Sequence, residues 1–373
     1  MTSTPHDFEP IHASDIQLAQ SRISSEIAPT PLQYCPRLSQ ETGYEVYLKR
    51  EDLQDVRSYK IRGALYGMSN LSEEQRKQGI VTASAGNHAQ GVAYACRTMG
   101  IHGKIFVPEP TPKQKRDRIL VHGGDVVELV VTGANFDEAA AAAHADAAER
   151  GAFFIEPFDA RDTVTGQGTV AAEIVSQLSS IGKSLDTVVV PVGGGGLISG
   201  ITSYLADMAP HTAVVGIEPA GAASLSAAFA AGEPVTLDTV DPFVDGAAVK
   251  RIGELPFKIL EANQGRLHWD VVSEGAVCTE QLALYQNEGI IAEPAGALSV
   301  TGLRTLNLQP GSTVVCVISG GNNDVLRYAE IMERSLVHRG LKHYFLVNFP
   351  QEPGQLRHFL QDVLGPEDDI TLF

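Results

Sequence analysis

Four stretches of the sequence combine small residues, amides and a lysine in patterns suited to an anionic, carbonyl-bearing ligand. Val192-Gly193-Gly194-Gly195-Gly196-Leu197 follows the β-branched run Thr187-Val188-Val189-Val190 and leads into Ile198, Ser199 and Gly200, which read as a helix start. Glycines let backbone N–H groups converge without Cβ clashes, and at a helix N-terminus such groups form an anion site that a phosphate monoester fits. The run lacks the spaced glycines and following acidic residue of a dinucleotide site, and the Gly-Lys-Ser/Thr of a P-loop. The alternative is a plain flexible loop. In Ser58-Tyr59-Lys60-Ile61-Arg62-Gly63, a helix is expected to begin near Ser58, which puts Lys60 in its first turn. A cation there is electrostatically misplaced. Its pKa should fall, the more so beside Arg62 and a part-buried Tyr59, and a lysine of lowered pKa is what a Schiff base requires. Taken alone, a solvated surface lysine is the commoner outcome.

Ser84-Ala85-Gly86-Asn87-His88 joins a buried strand to a helix and offers backbone N–H groups to a carboxylate. Asn87 can donate to a phenolate-type oxygen or can simply cap the helix. Ser319-Gly320-Gly321-Asn322 follows the last buried strand. In open α/β sheets ligands sit outside the carboxyl ends of strands, so four such loops in one chain say more than any one. Together they match the handles of pyridoxal phosphate: phosphate, aldehyde, phenolic oxygen and ring nitrogen.

The elements that must position these loops alternate along the chain. Continuous apolar runs at 79–83, 104–107, 125–131, 187–190, 213–217 and 313–318 read as strands buried on both faces. Helical stretches at 135–150 (with Asn135 as N-cap), 161–178 and 279–288 lie between them. This order predicts two mostly parallel α/β lobes with the ligand in the cleft between them. The tail differs. Residues 343–349 alternate like a half-buried strand, 355–363 have helical spacing, and 370–373 read as a strand.

Composition bounds the partners. The 373 residues are 43% hydrophobic and 20% charged, a globular composition. With 28 Lys+Arg against 45 Asp+Glu, the formal charge of −17 argues against nucleic-acid binding. No run reaches the length of a membrane span, and the N-terminus lacks a secretory pattern. Cys35, Cys96, Cys278 and Cys316 are scattered, so a cytoplasmic protein is expected.

These motifs, with Glu293-Pro294-Ala295-Gly296-Ala297, resemble those of the fold-type II pyridoxal-phosphate enzymes (tryptophan synthase β-like), and within them the biosynthetic threonine dehydratases. The resemblance covers about residues 28–336, in order and at the family's spacing. It implies a catalytic domain over 1–336, with the smaller lobe, about 57–158, inserted in the larger one. It implies that Lys60 forms the Schiff base with the cofactor and is the catalytic residue. Tyr59, Asn87, Gly193, Gly194, Gly195, Gly196, Leu197, Glu293 and Ser319 would complete the cofactor site, with Asn87 on the phenolic oxygen, the glycines and Leu197 on the phosphate, and Ser319 at the ring nitrogen. Ser84, Ala85, Gly86, Asn87 and His88 would bind the substrate carboxylate. The implied reaction deaminates L-threonine to 2-oxobutanoate and ammonia, opening isoleucine synthesis.

Two departures refine the reading. Related serine racemases carry a second serine where this chain has Ala85, and a metal-binding Asp where it has Ser224, so neither racemisation nor that metal site beside Glu218 is expected; no metal is. Residues 340–373 resemble the start of an ACT-like regulatory domain, shortened here, which implies isoleucine and valine as effectors; the alternative is a packing or tetramerisation element. A homotetramer or dimer is implied. Competing readings are a serine-preferring dehydratase, since one methyl is worth only ~1–3 kcal/mol in a pocket, a β-replacement synthase, and a non-catalytic amino-acid sensor, which would not need Lys60. A nicotinamide oxidoreductase lacks its fingerprint.

Overall fold

A computed structural model describes residues 9–371. Ten strands form two sheets: β1 Leu32–Tyr34, β2 Glu45–Arg50, β3 Ile80–Ala83, β4 Gly103–Val107, β5 Val127–Val131, β6 Phe153–Phe154, β7 Thr187–Pro191, β8 Ala213–Pro219, β9 Leu267–Val272 and β10 Thr313–Ile318. The larger sheet runs β1-β2-β10-β7-β8-β9 and the smaller β5-β4-β3-β6. Every pairing is parallel except β1 with β2. The six apolar runs read from sequence are β3, β4, β5, β7, β8 and β10. The smaller sheet is drawn from chain that leaves the larger sheet after β2 and returns before β7, so two crossings connect the lobes.

Parallel strands aligned in this way put their carboxyl ends on one side of each sheet. The loops after β3, β7 and β10 therefore open toward the cleft. The helix Arg161–Ser180 sets their spacing. It packs against both the helix Lys60–Ser69 and the helix Gly196–Met208, and glycines allow close approach on each side. A Cβ on Gly166 would lie 2.7 Å from Gly63 Cα, and one on Gly200 would lie 2.4 Å from Val164 O. The lysine and the glycine loop are thus referred to one common strut.

A buried charge cluster fixes the same region. Arg62, 1% exposed, donates to both oxygens of Glu51 at 2.8 Å and to Glu173 at 2.6 Å. Lys49, 0% exposed, reaches Glu173 at 2.5 Å and Thr30 O at 2.7 Å. Two cations face two carboxylates, which is the condition under which such charges survive burial.

The tail departs from the expectation. No strand forms at 343–349: Phe345 is 78% exposed and Leu346 fully so. A strand needs a neighbour to pair its backbone groups, and none among the described residues lies alongside. Ile370 and Thr371 are also not in a strand, and Leu372 and Phe373 lie outside the described residues. The expected helix does form, as Gln355–His358 continued by a wider turn at Phe359–Val363. Among the described residues no helix is long and apolar enough to cross a membrane.

Candidate active site

Lys60 opens its helix and projects into a cavity between the lobes. Arg57, at φ 56°, is the one non-glycine residue in the left-handed region among those described, and its turn presses the next residues onto the end of β10. Tyr59 N donates to Ser319 O at 3.1 Å, Gly321 N donates to Arg57 O at 2.9 Å, and Ser58 bridges Gly320. The lysine and Ser319 are thereby stitched together through main chain. Lys60 Nζ donates to Pro157 O at 2.7 Å, on the returning crossing, and lies near the faces of Tyr59 and Phe158.

Lys60, Tyr59, Asn87, Gly193 to Gly196, Leu197, Glu293 and Ser319 all line this one cavity. Burial holds the Lys60 amine down at about 8, opposed by the charge of Glu293. The direction agrees with the sequence reading but the cause does not: Arg62 points away, into the buried cluster, and desolvation carries the shift. Tyr59 is pushed up by burial and then by Glu293.

The glycine loop caps the helix Gly196–Met208 without any side-chain cap. Among the described residues no group accepts from the N–H of Gly194, Gly195, Gly196 or Leu197. Gly195 has φ 87°, which a side chain would strain, and a Cβ on Gly194 would lie 2.4 Å from the Phe158 ring. These are orphan donors converging at the positive end of a helix, with no side-chain cation needed.

Asn87 is the first residue of the helix Asn87–Met99, not its cap. Its Nδ2 donates to Glu293 Oε1 at 2.6 Å and its Oδ1 accepts from Asn322 Nδ2 at 2.8 Å. Asn87 is therefore not the helix cap, and its amide lines the cavity. Glu293, 4% exposed, also accepts from Asn322 N at 3.1 Å. Burial, then the charge of Asp245, raises its carboxyl to about 7, against the pull of the Asn87 and Asn322 hydrogen bonds. Gly320 and Gly246 leave room for the pair, since a Cβ on either would lie within 3.2 Å of Glu293 Oε1. Ser319, 2% exposed, donates to Ala295 O at 3.3 Å.

Ser84, Ala85 and Gly86 sit on the β3 loop beside Asn87 but do not line the cavity itself. Ser84 Oγ accepts from Gly86 N at 3.2 Å, which shapes the turn. The N–H groups of Ala85, Asn87 and His88 have no acceptor among the described residues. The His88 ring points elsewhere: Nε2 lies 3.1 Å from Ile155 O, a carbonyl that only accepts, so Nε2 carries the proton and Nδ1 is left without a partner. Burial, helped by Lys60, lowers its pKa to about 3 and keeps it neutral.

Phe158, Gly246, Ala247 and Val249 also line the cavity, and sequence reasoning missed them. Nothing local marks them; they arrive from the returning crossing and from an irregular loop. Asn322 was visible only as part of a glycine motif. Glu218 does more than end β8. It caps the helix Ser224–Ala231, accepting from Leu225 N, Ser226 N and Ser226 Oγ. Among the described residues no group of three or more His, Cys, Asp or Glu gathers as a metal site.

Residues 23–320 match the family described as pyridoxal-phosphate dependent enzyme. The chain belongs to that family. Residues 333–373 match the C-terminal regulatory domain of threonine dehydratase. The chain is 74% identical over 365 residues to the biosynthetic L-threonine dehydratase of Corynebacterium glutamicum, covering 98% of this chain and 84% of the relative. It is 49% identical to that of Bacillus subtilis, covering 97% and 85%. Among solved structures it resembles the processed threonine deaminase isoform 2 of Solanum lycopersicum, with TM-score 0.79 and 34% identity over 90% of this chain and 99% of that one. It also resembles maize serine racemase, with TM-score 0.79 and 28% identity over 89% and 100%.

As a member of a pyridoxal-phosphate family, the chain uses that cofactor, and the cavity fits it. The glycine loop supplies four N–H groups without an acceptor among the described residues, and Lys60 supplies an amine of lowered pKa to the same cavity.

Proposed function

We propose that this protein is a threonine ammonia-lyase that deaminates L-threonine to 2-oxobutanoate and ammonia at the head of isoleucine synthesis. What carries the reading is the single cavity joining an amine of lowered pKa to an unpaired glycine cup, in a chain 74% identical to a biosynthetic threonine dehydratase. The cofactor, when bound, supplies a sink for the electron pair left when the Cα–H bond breaks.

The chain's own residues do the rest. Lys60 Nζ takes the Cα proton, and a pKa near 8 suits a base that must be free yet basic. The amides of Gly194 to Leu197 hold the phosphate end. Asn87 Nδ2 would donate to the phenolic oxygen, and the free N–H groups of Ala85, Asn87 and His88 would hold the substrate carboxylate, with Ser84 and Gly86 shaping that turn. Ser319 would present a neutral hydroxyl to the ring nitrogen; unlike a carboxylate it would not keep that nitrogen protonated. Water leaves across Cα–Cβ and returns when the released enamine hydrolyses, so threonine loses ammonia overall.

The partners extend the reading. The match of residues 333–373 to a regulatory domain supports control by isoleucine and valine, and a homotetramer or dimer fits the same family. Four free, buried cysteines support a reducing compartment, the cytoplasm. The test is keto-acid release from L-threonine and L-serine separately, with and without isoleucine. Faster 2-oxobutanoate formation from threonine is expected. Faster pyruvate formation from serine would move the assignment to a serine dehydratase, and no turnover of either would overturn it.

A further inference from the structure

The Asn87 amide has two orientations of nearly equal shape, and only one presents a donor to the cavity. Nothing in Asn87's own helix chooses between them: its oxygen caps no N–H, and the helix begins there without a side-chain cap. The choice is made from outside the helix, by the Glu293 carboxylate, which accepts from Nδ2, and by Asn322, which fixes the opposite end of the amide. Asn322 Nδ2 lies 2.8 Å from Val56 O, a backbone carbonyl that can only accept, so the nitrogen of that amide must face it. The second proton of the same nitrogen points at Asn87, 2.8 Å away, and only an oxygen can stand there. Asn87 is therefore turned with Oδ1 toward Asn322 and Nδ2 toward the cavity and Glu293. Asn322 is itself held at a second point, because its backbone N–H donates to Glu293 Oε2 at 3.1 Å. A polarity chain runs from Val56 O through two amides to the cavity.

We propose that Asn322 is a positioning residue that sets the donor orientation of Asn87 and through it the hydrogen bond to the cofactor's phenolic oxygen. The proposal rests on the assignment of Asn87 to the cofactor made above. Asn322 does not line the cavity, and of its two side-chain partners, Val56 O and Asn87, only Asn87 does, so a change to the side chain alone reaches the cavity through Asn87. An aspartate at 322 has the same shape and no donor. It would draw Asn87 Nδ2 toward itself and leave Oδ1 facing the carboxylate of Glu293.

The test compares Asn87→Ala, Asn322→Ala, Asn322→Asp and the double variant Asn87→Ala/Asn322→Ala. Each is stripped of cofactor and titrated with pyridoxal phosphate. The dissociation constant and the absorption maximum of the lysine-bound form are read, with threonine turnover alongside. Each single variant should weaken binding about tenfold, the scale of one hydrogen bond to a charged acceptor, and shift the band in the same direction. Asn322→Asp should do no better than Asn322→Ala. The double variant should match Asn87→Ala alone, since coupled residues are not additive. Multiplying effects, or an Asn322→Asp protein with wild-type affinity and band, would overturn the proposal. If Asn87→Ala alone left affinity and band unchanged, the assignment of Asn87 would fall instead, and the proposal with it. Should Asn322→Ala fail to fold, the isosteric Asn322→Asp decides the matter.

Discussion

Raising the pH from 7 to 9 should switch Lys60 from mostly protonated to mostly free. With a pKa of about 8, set by burial against the charge of Glu293, the neutral fraction is roughly one in eleven at pH 7 and ten in eleven at pH 9. An ordinary lysine would be only about 4% neutral at pH 9 and would still be climbing toward pH 11. The shape of the curve therefore separates the two cases. The assay is the initial rate at which cofactor-free protein captures dilute pyridoxal phosphate, followed by the growth of the lysine-linked absorption band. The rate should rise about tenfold from pH 7 to 9 and level off by roughly pH 9.5, because only the neutral amine attacks. The sign of the Glu293 contribution gives a second check. Glu293 raises the Lys60 pKa, so Glu293→Gln should move the midpoint below that of the wild type. A wild-type rate still rising steeply above pH 10, or an upward shift in Glu293→Gln, would refute the account of Lys60 as a desolvated amine opposed by a carboxylate.

Lys60→Ala should lose both the band and all turnover; retained activity by keto-acid assay would remove Lys60 from the chemistry. Gly194→Ala places a methyl 2.4 Å from the Phe158 ring, so overpacking of about 1–3 kcal/mol and a large loss of cofactor affinity are expected by urea melting and titration. Ser319→Asp should slow threonine turnover while leaving cofactor binding in place, because a carboxylate would hold the ring nitrogen protonated; unchanged kinetics would show that the hydroxyl has no electronic part. Glu51→Gln removes one carboxylate from the Arg62–Lys49 cluster and leaves a buried cation short of a partner, so a loss of about 3–5 kcal/mol in denaturant stability is expected.

The strands most legible in the sequence were those whose side chains are apolar on both faces, such as β7 and β10. β2 was hidden although it pairs directly with β10 in the interior of the larger sheet. It carries Lys49 and Arg50, and Lys49 is tolerable there only because Glu173, 124 residues on, meets it. That partner has no local signature. β9 was missed because, at the sheet's edge, it mixes His268 and Asp270 with its apolar residues and has no continuous apolar run. The tail erred the other way, with a good strand pattern and no edge to join. The site divides along the same line. Glycine-marked strand ends were readable one by one, whereas Phe158 and the Gly246–Val249 loop reach the cavity through the fold alone. The Lys60 shift was legible in direction and not in cause, since burial is a property of the assembled lobes.

The glycine cup has a consequence for the life of the protein in the cell. Its donors and the Lys60 amine are arranged for a ligand that only the folded chain can hold. Binding therefore adds stability by mass action, about 2.7 kcal/mol when free cofactor stands a hundredfold above its dissociation constant. Vitamin B6 supply would then set how much of this enzyme survives proteolysis as well as how fast it turns over, and a starved cell would lose the protein along with the activity.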